Sequence, residues 1–509
     1  IGDVHARGYA KRILEARVYD LAIETPLTPA AFLSQRLGNE VLIKREDLQP
    51  VNSFKVRGAY NRIARLGEEE RARGVIAASA GNHAQGVAMS AKHLGIRATI
   101  VMGMNAPDIK VNAVKARGAH VVQHGESYDV AAEHARMLME KHGYSWVPPF
   151  DDPDIIAGQG TVGMEILRQR RGPLHAIFVP VGGGGLVAGI AAWVKYLAPE
   201  VKVIGVEAEG SACLAAAMQA KRRVTLPRET LDLFADGVSV AQIGKETFRI
   251  ARRHVDEVVT VNTDEICAAV KDVFEDTRAL SEPAGALSIA GLKKWVETTG
   301  TTGKTLVGIN SGANVNFDRL RHIAERAEVG EHREAILAVC IDEKPGSFRR
   351  FCKAIGKRSV TEFNYRFSDP RRAEVFVGIT VSPAADRQAF IDQLEAKGYP
   401  VVDMTENEMA KLHVRHLVGG RMPAAGSELL FRFEFPERPG ALMNFLSVLG
   451  AKWNISLFHY RNHGAAWGRV LVGFQAEVAE RKALHAALAD TGYRFWEETD
   501  NPAYARFLS

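Results

Sequence analysis

The sequence predicts a protein in two parts: an open parallel α/β fold over its first two thirds, then a duplicated ferredoxin-like α+β unit. Three observations predict it. Between about Val41 and Ile309, short apolar runs alternate with stretches of helical period. The glycine- and serine-rich segments of that region fall directly after apolar runs, where ligands sit in parallel α/β folds. Beyond about Glu334 the alternation ceases, and the chain answers itself at a spacing of 94 or 95 residues.

Taken in order, Val41–Lys44, Gly74–Ser79, Ala98–Met102, His120–Gln123, Ala176–Val181, Val203–Glu207 and Thr305–Ile309 read as buried strands. Ala84–Leu94 and Ser127–His142 carry helical period between them. Such alternation implies parallel sheets with helices on both faces. In the last third, Glu343-Lys-Pro-Gly-Ser-Phe is answered by Glu437-Arg-Pro-Gly-Ala-Leu, and Phe363-Asn-Tyr-Arg by Phe458-His-Tyr-Arg. Val375-Phe-Val-Gly is answered by Val470-Leu-Val-Gly, and Gly398-Tyr399 by Gly492-Tyr493. Matches at one spacing mark two copies of one module. Each copy reads strand, Pro-Gly turn, helix, strand, strand, helix, strand, which is the βαββαβ order. Lys411–Ser427, with Gly419, Gly420 and Pro423, is the expected connector.

Four loops carry the chemistry. Ser53-Phe54-Lys55-Val56-Arg57-Gly58 sets a lysine between a polar turn and a helix, a placement that alone also suits a solvated surface residue. Ser79-Ala80-Gly81-Asn82-His83 follows a strand and opens a helix. It is either a tight turn or a site where unpaired N–H groups meet a carboxylate or phosphate. Gly182-Gly183-Gly184-Gly185-Leu186 also joins a strand to a helix. Consecutive glycines cost backbone entropy that an ordinary turn does not require, and a nest of N–H groups around a phosphate explains them. The loop matches neither the dinucleotide fingerprint nor a Walker loop. Asn310-Ser311-Gly312-Ala313-Asn314 follows the last strand of the region. Together the four loops describe one pocket for a phosphorylated aldehyde cofactor, with a lysine able to form a Schiff base.

Composition narrows the function classes. The 509 residues imply about three domains. Apolar residues make up 46% and charged residues 25%, as in a soluble globular protein, and the net charge of +5 is spread through mixed-sign stretches. Arg168, Arg170 and Arg171, like Lys221, Arg222 and Arg223, read as solvated faces without the aromatic platforms of nucleic-acid binding. No apolar window reaches the roughly 18 residues of a membrane helix. The start of the sequence shows no apolar signal core and no initiator Met, so a cytoplasmic protein lacking a few residues is expected. Cys213, Cys267, Cys340 and Cys352 form no Cys-x-x-Cys pair and read as buried, reduced thiols, with no metal site.

Ser53-Phe-Lys-Val-Arg-Gly-Ala, Ser79-Ala-Gly-Asn-His-Ala-Gln-Gly, the glycine run, Glu282-Pro-Ala-Gly-Ala and Ser311-Gly-Ala-Asn resemble the biosynthetic threonine dehydratases, members of the fold-type II pyridoxal-phosphate (PLP) enzymes. The last third, with Val360-Thr-Glu-Phe-Asn-Tyr-Arg and Ile455-Ser-Leu-Phe-His-Tyr-Arg, resembles their paired ACT-like regulatory domain. The resemblance implies a catalytic domain over 1–325 and ACT-like repeats over 335–406 and 429–500. It implies that Lys55 carries PLP, that Asn82 bonds its ring oxygen, and that Phe54, Gly182, Gly183, Gly184, Gly185 and Leu186 also contact the cofactor. Ser311 would face the pyridine nitrogen, and Ser79, Ala80, Gly81 and His83 would surround the substrate carboxylate. Glu282-Pro-Ala departs from the more usual Glu-Pro-Ser.

A serine hydroxyl at the ring nitrogen makes the ring a weaker electron sink than a carboxylate would, which favours β-elimination over transamination. The implied reaction turns L-threonine, with L-serine as a secondary substrate, into 2-oxobutanoate and ammonia, the committed step of isoleucine biosynthesis. The Lys55 amine would act as general base, with the cofactor phosphate assisting the leaving hydroxyl. Serine racemases of this fold type carry a serine where this chain has Ala80, so little racemisation is expected. Isoleucine is the expected inhibitor and valine the expected opposing effector. Their expected contacts are Pro345, Gly346 and Phe348 in one repeat and Pro439, Gly440 and Leu442 in the other. The family further implies a homotetramer. The competing readings are a sulfur-amino-acid synthase of the same fold type, a catabolic or broader serine/threonine dehydratase, and a non-catalytic amino-acid sensor.

Overall fold

The computed structural model describes residues 4–501 apart from 105, 107, 126–127, 228–230, 233, 318, 332, 367–369, 382–383, 408–409, 411–414, 416–427, 437–440, 450–451 and 462–466. The chain separates into two units, Ile1–Ala327 and Glu328–Ser509.

The first unit holds two sheets. One has six strands: β1 (Leu27–Pro29), β2 (Glu40–Arg45), β7 (Ala176–Pro180), β8 (Lys202–Ala208), β9 (Glu257–Val261) and β10 (Thr305–Asn310). Their order is β1-β2-β10-β7-β8-β9, and all pairings are parallel except that of β1 with β2. The other has four parallel strands, β3 (Val75–Ala78), β4 (Ala98–Met102), β5 (His120–Gln123) and β6 (Ser145–Trp146), in the order β5-β4-β3-β6. The central strands β3, β4, β7 and β10 are buried along their whole length, which is why they read as unbroken apolar runs. His120–Gln123, read from sequence as buried, is instead a half-exposed edge strand. Strands β1, β6 and β9 were not anticipated, because two or three residues, or an edge with only one buried position, leave no apolar run to see.

Three helices tie the sheets into one body. Helix Pro153–Gln169 begins with proline in its first turn, and Asp152 caps it by accepting from the Asp154 and Ile155 amides at 2.8 and 3.1 Å. A Cβ at Gly158 would stand 2.7 Å from the Arg57 carbonyl oxygen and from the Gly58 Cα, so this helix and helix Lys55–Ala64 cross backbone to backbone. A Cβ at Gly189 would stand 2.4 Å from the Ile156 oxygen, which brings helix Gly185–Leu197 equally close to the same helix. Arg57 is fully buried and paired with Glu46 at 2.7 Å and Glu165 at 2.6 Å, while Lys44 holds Glu165 at 2.6 Å. Buried charges persist only when paired in this way.

The second unit is one antiparallel sheet of eight strands. Its first half comprises β11 (Glu334–Asp342), β12 (Val360–Arg366), β13 (Arg372–Thr380) and β14 (Val401–Asp403), with helices Ser347–Ile355 and Ala384–Ala396. Its second comprises β15 (Glu428–Pro436), β16 (Asn454–Arg461), β17 (Trp467–Gln475) and β18 (Arg494–Glu497), with helices Ala441–Leu449 and Arg481–Ala489. The order β14-β11-β13-β12-β16-β17-β15-β18 is two ferredoxin-like sheets joined edge to edge through β12 and β16. At the seam Asn364 lies opposite His459, its own counterpart in the repeat, while Glu362 pairs with Arg461 and Arg366 with Leu457. The two copies are therefore related by a pseudo-two-fold axis through that central pair. Of the expected connector, only Arg415 lies within the described residues; its guanidinium is buried between Glu362 at 2.9 Å and Glu334 at 3.5 Å. Three of the cysteines are buried as expected, whereas Cys340 is partly exposed.

Candidate active site

Lys55 is the first residue of its helix, directly after the Ser53–Gly312 bridge that ties its loop to the segment following β10. Its Nζ donates to the Pro149 carbonyl at 3.0 Å and lies 5.3 Å from the centre of the Phe54 ring. Burial pulls the ammonium down to about 8, against the opposing pull of the Glu282 carboxylate. An amine so placed is available in neutral form near physiological pH.

The next residue along, Phe150, rests on the glycine loop. A Cβ at Gly183 would stand 2.1 Å from its ring, and Gly184 adopts a φ of 90°, so side chains are excluded there. The Gly183 carbonyl accepts from the Thr247 hydroxyl at 2.8 Å and the Gly244 amide at 3.3 Å, and the Gly182 carbonyl from the Cys213 thiol at 3.4 Å. Among the described residues, the peptide N–H groups of Gly182, Gly183, Gly184 and Gly185 have no acceptor. Carbonyls braced and amides left over is the arrangement a phosphate requires. Leu186, the next residue, is 3% exposed in the core beneath. Pro149 and Phe150 thus bridge Lys55 to the glycine loop, though 127 residues separate Lys55 from Gly182 in the chain.

Helix Asn82–His93 starts with the Gly81 position uncapped by any side chain, and Ser79 Oγ accepts from the Gly81 amide at 3.2 Å. Among the described residues the Ala80, Asn82, His83 and Ala84 amides have no acceptor, an anion cradle suited to a carboxylate. Ala80 is partly buried. The His83 ring contributes no donor to that cradle. Its Nε2 lies 2.9 Å from the Val147 carbonyl, which only accepts, so Nε2 carries the proton and Nδ1 is bare. Burial, with the neighbouring Lys55 charge, pushes its pKa down to about 3, so the ring is neutral.

The Asn82 amide is held at both ends: Nδ2 donates to Glu282 Oε1 at 2.6 Å, and Oδ1 accepts from Asn314 Nδ2 at 2.7 Å. One Nδ2 hydrogen remains for a cofactor oxygen. Glu282 has its carboxyl pushed up to about 7 by burial, despite the Asn82 bond that works against this. Ser311 is 4% exposed, and its hydroxyl donates to the Ala284 carbonyl at 3.3 Å, a long bond easily exchanged for another. Phe150, Asp151 and Thr247 stand in no motif of the sequence; Glu282 and Asn314 belong to the Glu282-Pro-Ala-Gly-Ala and Ser311-Gly-Ala-Asn motifs, but their contact with Asn82 is visible only in the fold.

In the second unit, Gly346 caps helix Ser347–Ile355 with a φ of 86°, and Phe348 is buried with its ring 5.8 Å from that of Phe458 in the other repeat. A shallow groove lined by Gly346 and Phe348 of the first repeat is shared with Leu446, Leu449, Trp453 and Ile455 of the second. Of the expected contacts, Gly346 and Phe348 meet residues of the second repeat's helix there. Pro345 precedes Gly346 in the turn, Leu442 is partly buried against the core, and Pro439 and Gly440 lie outside the described residues. Among the described residues no helix is long and apolar enough to cross a membrane, and no group of three or more His, Cys, Asp or Glu could hold a metal.

The pyridoxal-phosphate dependent enzyme family matches residues 18–312, and the C-terminal regulatory domain of threonine dehydratase matches 325–414 and again 419–508. The biosynthetic L-threonine dehydratase IlvA of Burkholderia multivorans is 55% identical over 504 residues, covering 98% of this chain and 99% of that protein. Its namesake from Escherichia coli is 53% identical over 502 residues, covering 98% and 97%. Among solved structures, the processed form of threonine deaminase isoform 2 from Solanum lycopersicum aligns with a TM-score of 0.63 at 47% identity, over 64% of this chain and 90% of that one.

Proposed function

This chain belongs to the biosynthetic threonine dehydratases of the pyridoxal-phosphate dependent enzymes, and from that membership we propose that it converts L-threonine to 2-oxobutanoate and ammonia with PLP held on Lys55. The observation that carries this reading is the pairing of a desolvated Lys55 amine with four unpaired glycine amides, joined by Pro149 and Phe150.

When bound, PLP supplies the electron sink for the pair left on the substrate's α-carbon. Gly182, Gly183, Gly184 and Gly185 would hold its phosphate, Phe54 and Leu186 its surroundings, Asn82 its ring oxygen and Ser311 its ring nitrogen. The Ser79 hydroxyl and the Ala80, Asn82, His83 and Ala84 amides orient the substrate carboxylate, with Gly81 leaving room. The freed Lys55 amine takes the α-proton; its lowered basicity leaves a useful fraction neutral for that task. Ala80 offers no hydroxyl that could return a proton to the opposite face, which supports elimination over racemisation.

We extend the reading to control. The paired regulatory repeats bind an effector, with isoleucine as inhibitor and valine opposing it; the groove at which Gly346 and Phe348 meet Leu446 and Leu449 of the second repeat supports a site there. Homotetrameric assembly and a cytoplasmic location complete the proposal. A ketoacid assay with threonine and serine, with and without isoleucine, tests it. Wild type should favour threonine and be inhibited by isoleucine. Lys55→Ala should lose both ketoacid formation and the cofactor's visible absorption band; persistence of turnover in that variant would sink the assignment.

A further inference from the structure

The glycine loop does not hold its shape unaided. Helix Lys245–His254 approaches it with its N-terminus, yet that helix has no free amide to offer a ligand. The Lys245 amide donates to Asp151 Oδ2 at 2.8 Å, and the Glu246 and Thr247 amides to Asp151 Oδ1 at 2.8 and 3.2 Å. Asp151 therefore neutralises the helix terminus that would otherwise compete for an anion. What the helix presents to the loop is the Thr247 side chain, 0% exposed, whose hydroxyl donates to the Gly183 carbonyl at 2.8 Å. A Cβ at Gly244 would fall 2.5 Å from Asp151 Oδ1 and 2.6 Å from Thr247 Oγ1, so only glycine leaves room there for both side chains. A Cβ at Gly184 would likewise lie 3.0 Å from Thr247 Cβ.

We propose that Thr247, seated by Asp151, is a positioning residue for phosphate binding: by holding the Gly183 carbonyl it keeps the loop's amides turned to the anion. The proposal rests on the reading of Gly182–Gly185 as the phosphate site. A peptide plane has its N–H and C=O on opposite edges, so fixing the Gly183 oxygen fixes the Gly184 N–H. Without the hydroxyl the Gly183 carbonyl keeps only the longer bond from the Gly244 amide at 3.3 Å. More of the loop must then be ordered when phosphate binds, and the cost appears in phosphate affinity.

The test compares apoenzyme binding of PLP with that of phosphate-free pyridoxal, followed by the visible band. Thr247→Val, which keeps the shape and deletes the donor, should weaken PLP by about five- to tenfold, the size of one net hydrogen bond, and leave pyridoxal nearly unchanged. Thr247→Ser should restore wild-type binding. Thr247→Ala carries the same comparison should valine perturb folding. Equal weakening of both ligands, unchanged PLP binding, or failure of serine to rescue would overturn the brace. Gly183→Ala separates the two levels. If it leaves the preference for PLP over pyridoxal intact, the phosphate assignment itself falls. If it abolishes that preference while Thr247→Val has no effect, only the brace falls.

Discussion

The Lys55 ammonium is pulled to about 8 by burial, against Glu282. Only the neutral amine condenses with an aldehyde, so the rate at which apoenzyme captures PLP should rise with pH, with its midpoint near 8 instead of the ordinary 10.5. Glu282, titrating near 7, is charged at that midpoint and raises the Lys55 value. Glu282→Gln should therefore move the midpoint lower still. Rapid-mixing absorbance across a pH series measures both; a midpoint at the solvated lysine value would show that the amine stands in water. This lysine was legible in the sequence because its loop is part of a recurring motif. Its partner Glu282 stands in a motif of its own, but their meeting was not legible, because a carboxylate 227 residues away gives no local sign of the groups it will face.

Among the elements, helix Pro153–Gln169 decides whether the lysine and the glycine loop meet. It touches the Lys55 helix at Gly158 and the loop's helix at Gly189, in both cases through backbone that cannot yield as a side chain would. Gly158→Ala should destabilise the fold by roughly 1–3 kcal/mol, as overpacking does, and loosen PLP because the Lys55 helix is displaced. Gly8→Ala is the contrast. No atom lies within 4 Å of its added Cβ, and it sits in helix Val4–Leu14. That substitution should be neutral or stabilise by up to about 1 kcal/mol from helix propensity. Denaturant unfolding of the two variants compares them directly; equal effects would deny the close crossing. The helix itself was absent from the sequence reading, since its glycines and buried Gln159, Thr161 and Glu165 blur the apolar stripe that marks a surface helix.

For the whole molecule, the boundary between Ala327 and Glu328 divides the site built around Lys55 from the repeats that hold the groove at Phe348. A chain ending at residue 327 should still dehydrate threonine but lose isoleucine inhibition, measured as ketoacid release with and without isoleucine. Inhibition that survives the truncation would place the effector on the first unit. Within the second unit, the β12–β16 seam makes each repeat the edge cover of the other, which removes two exposed strand edges at once. Its Asn364–His459 centre follows from the repeat spacing, yet the pairing of those particular edges does not.

The sequence by itself determined the alternation of strands and helices, the doubling of the last third, and the loops that carry lysine, asparagine, serine and glycine. Each of these is written in residues close together in the chain, in periodicity, turn chemistry or motif. Only the tertiary structure decided that Pro149 and Phe150 join Lys55 to the glycine loop, that Glu282 and Asn314 hold Asn82, that the His83 ring is spent on Val147, and that Thr247 braces Gly183. Those contacts arise from glycine-permitted helix crossings and strand order. Residues that meet through packing need share no local pattern, because burial rewards the fit between surfaces and is indifferent to distance along the chain.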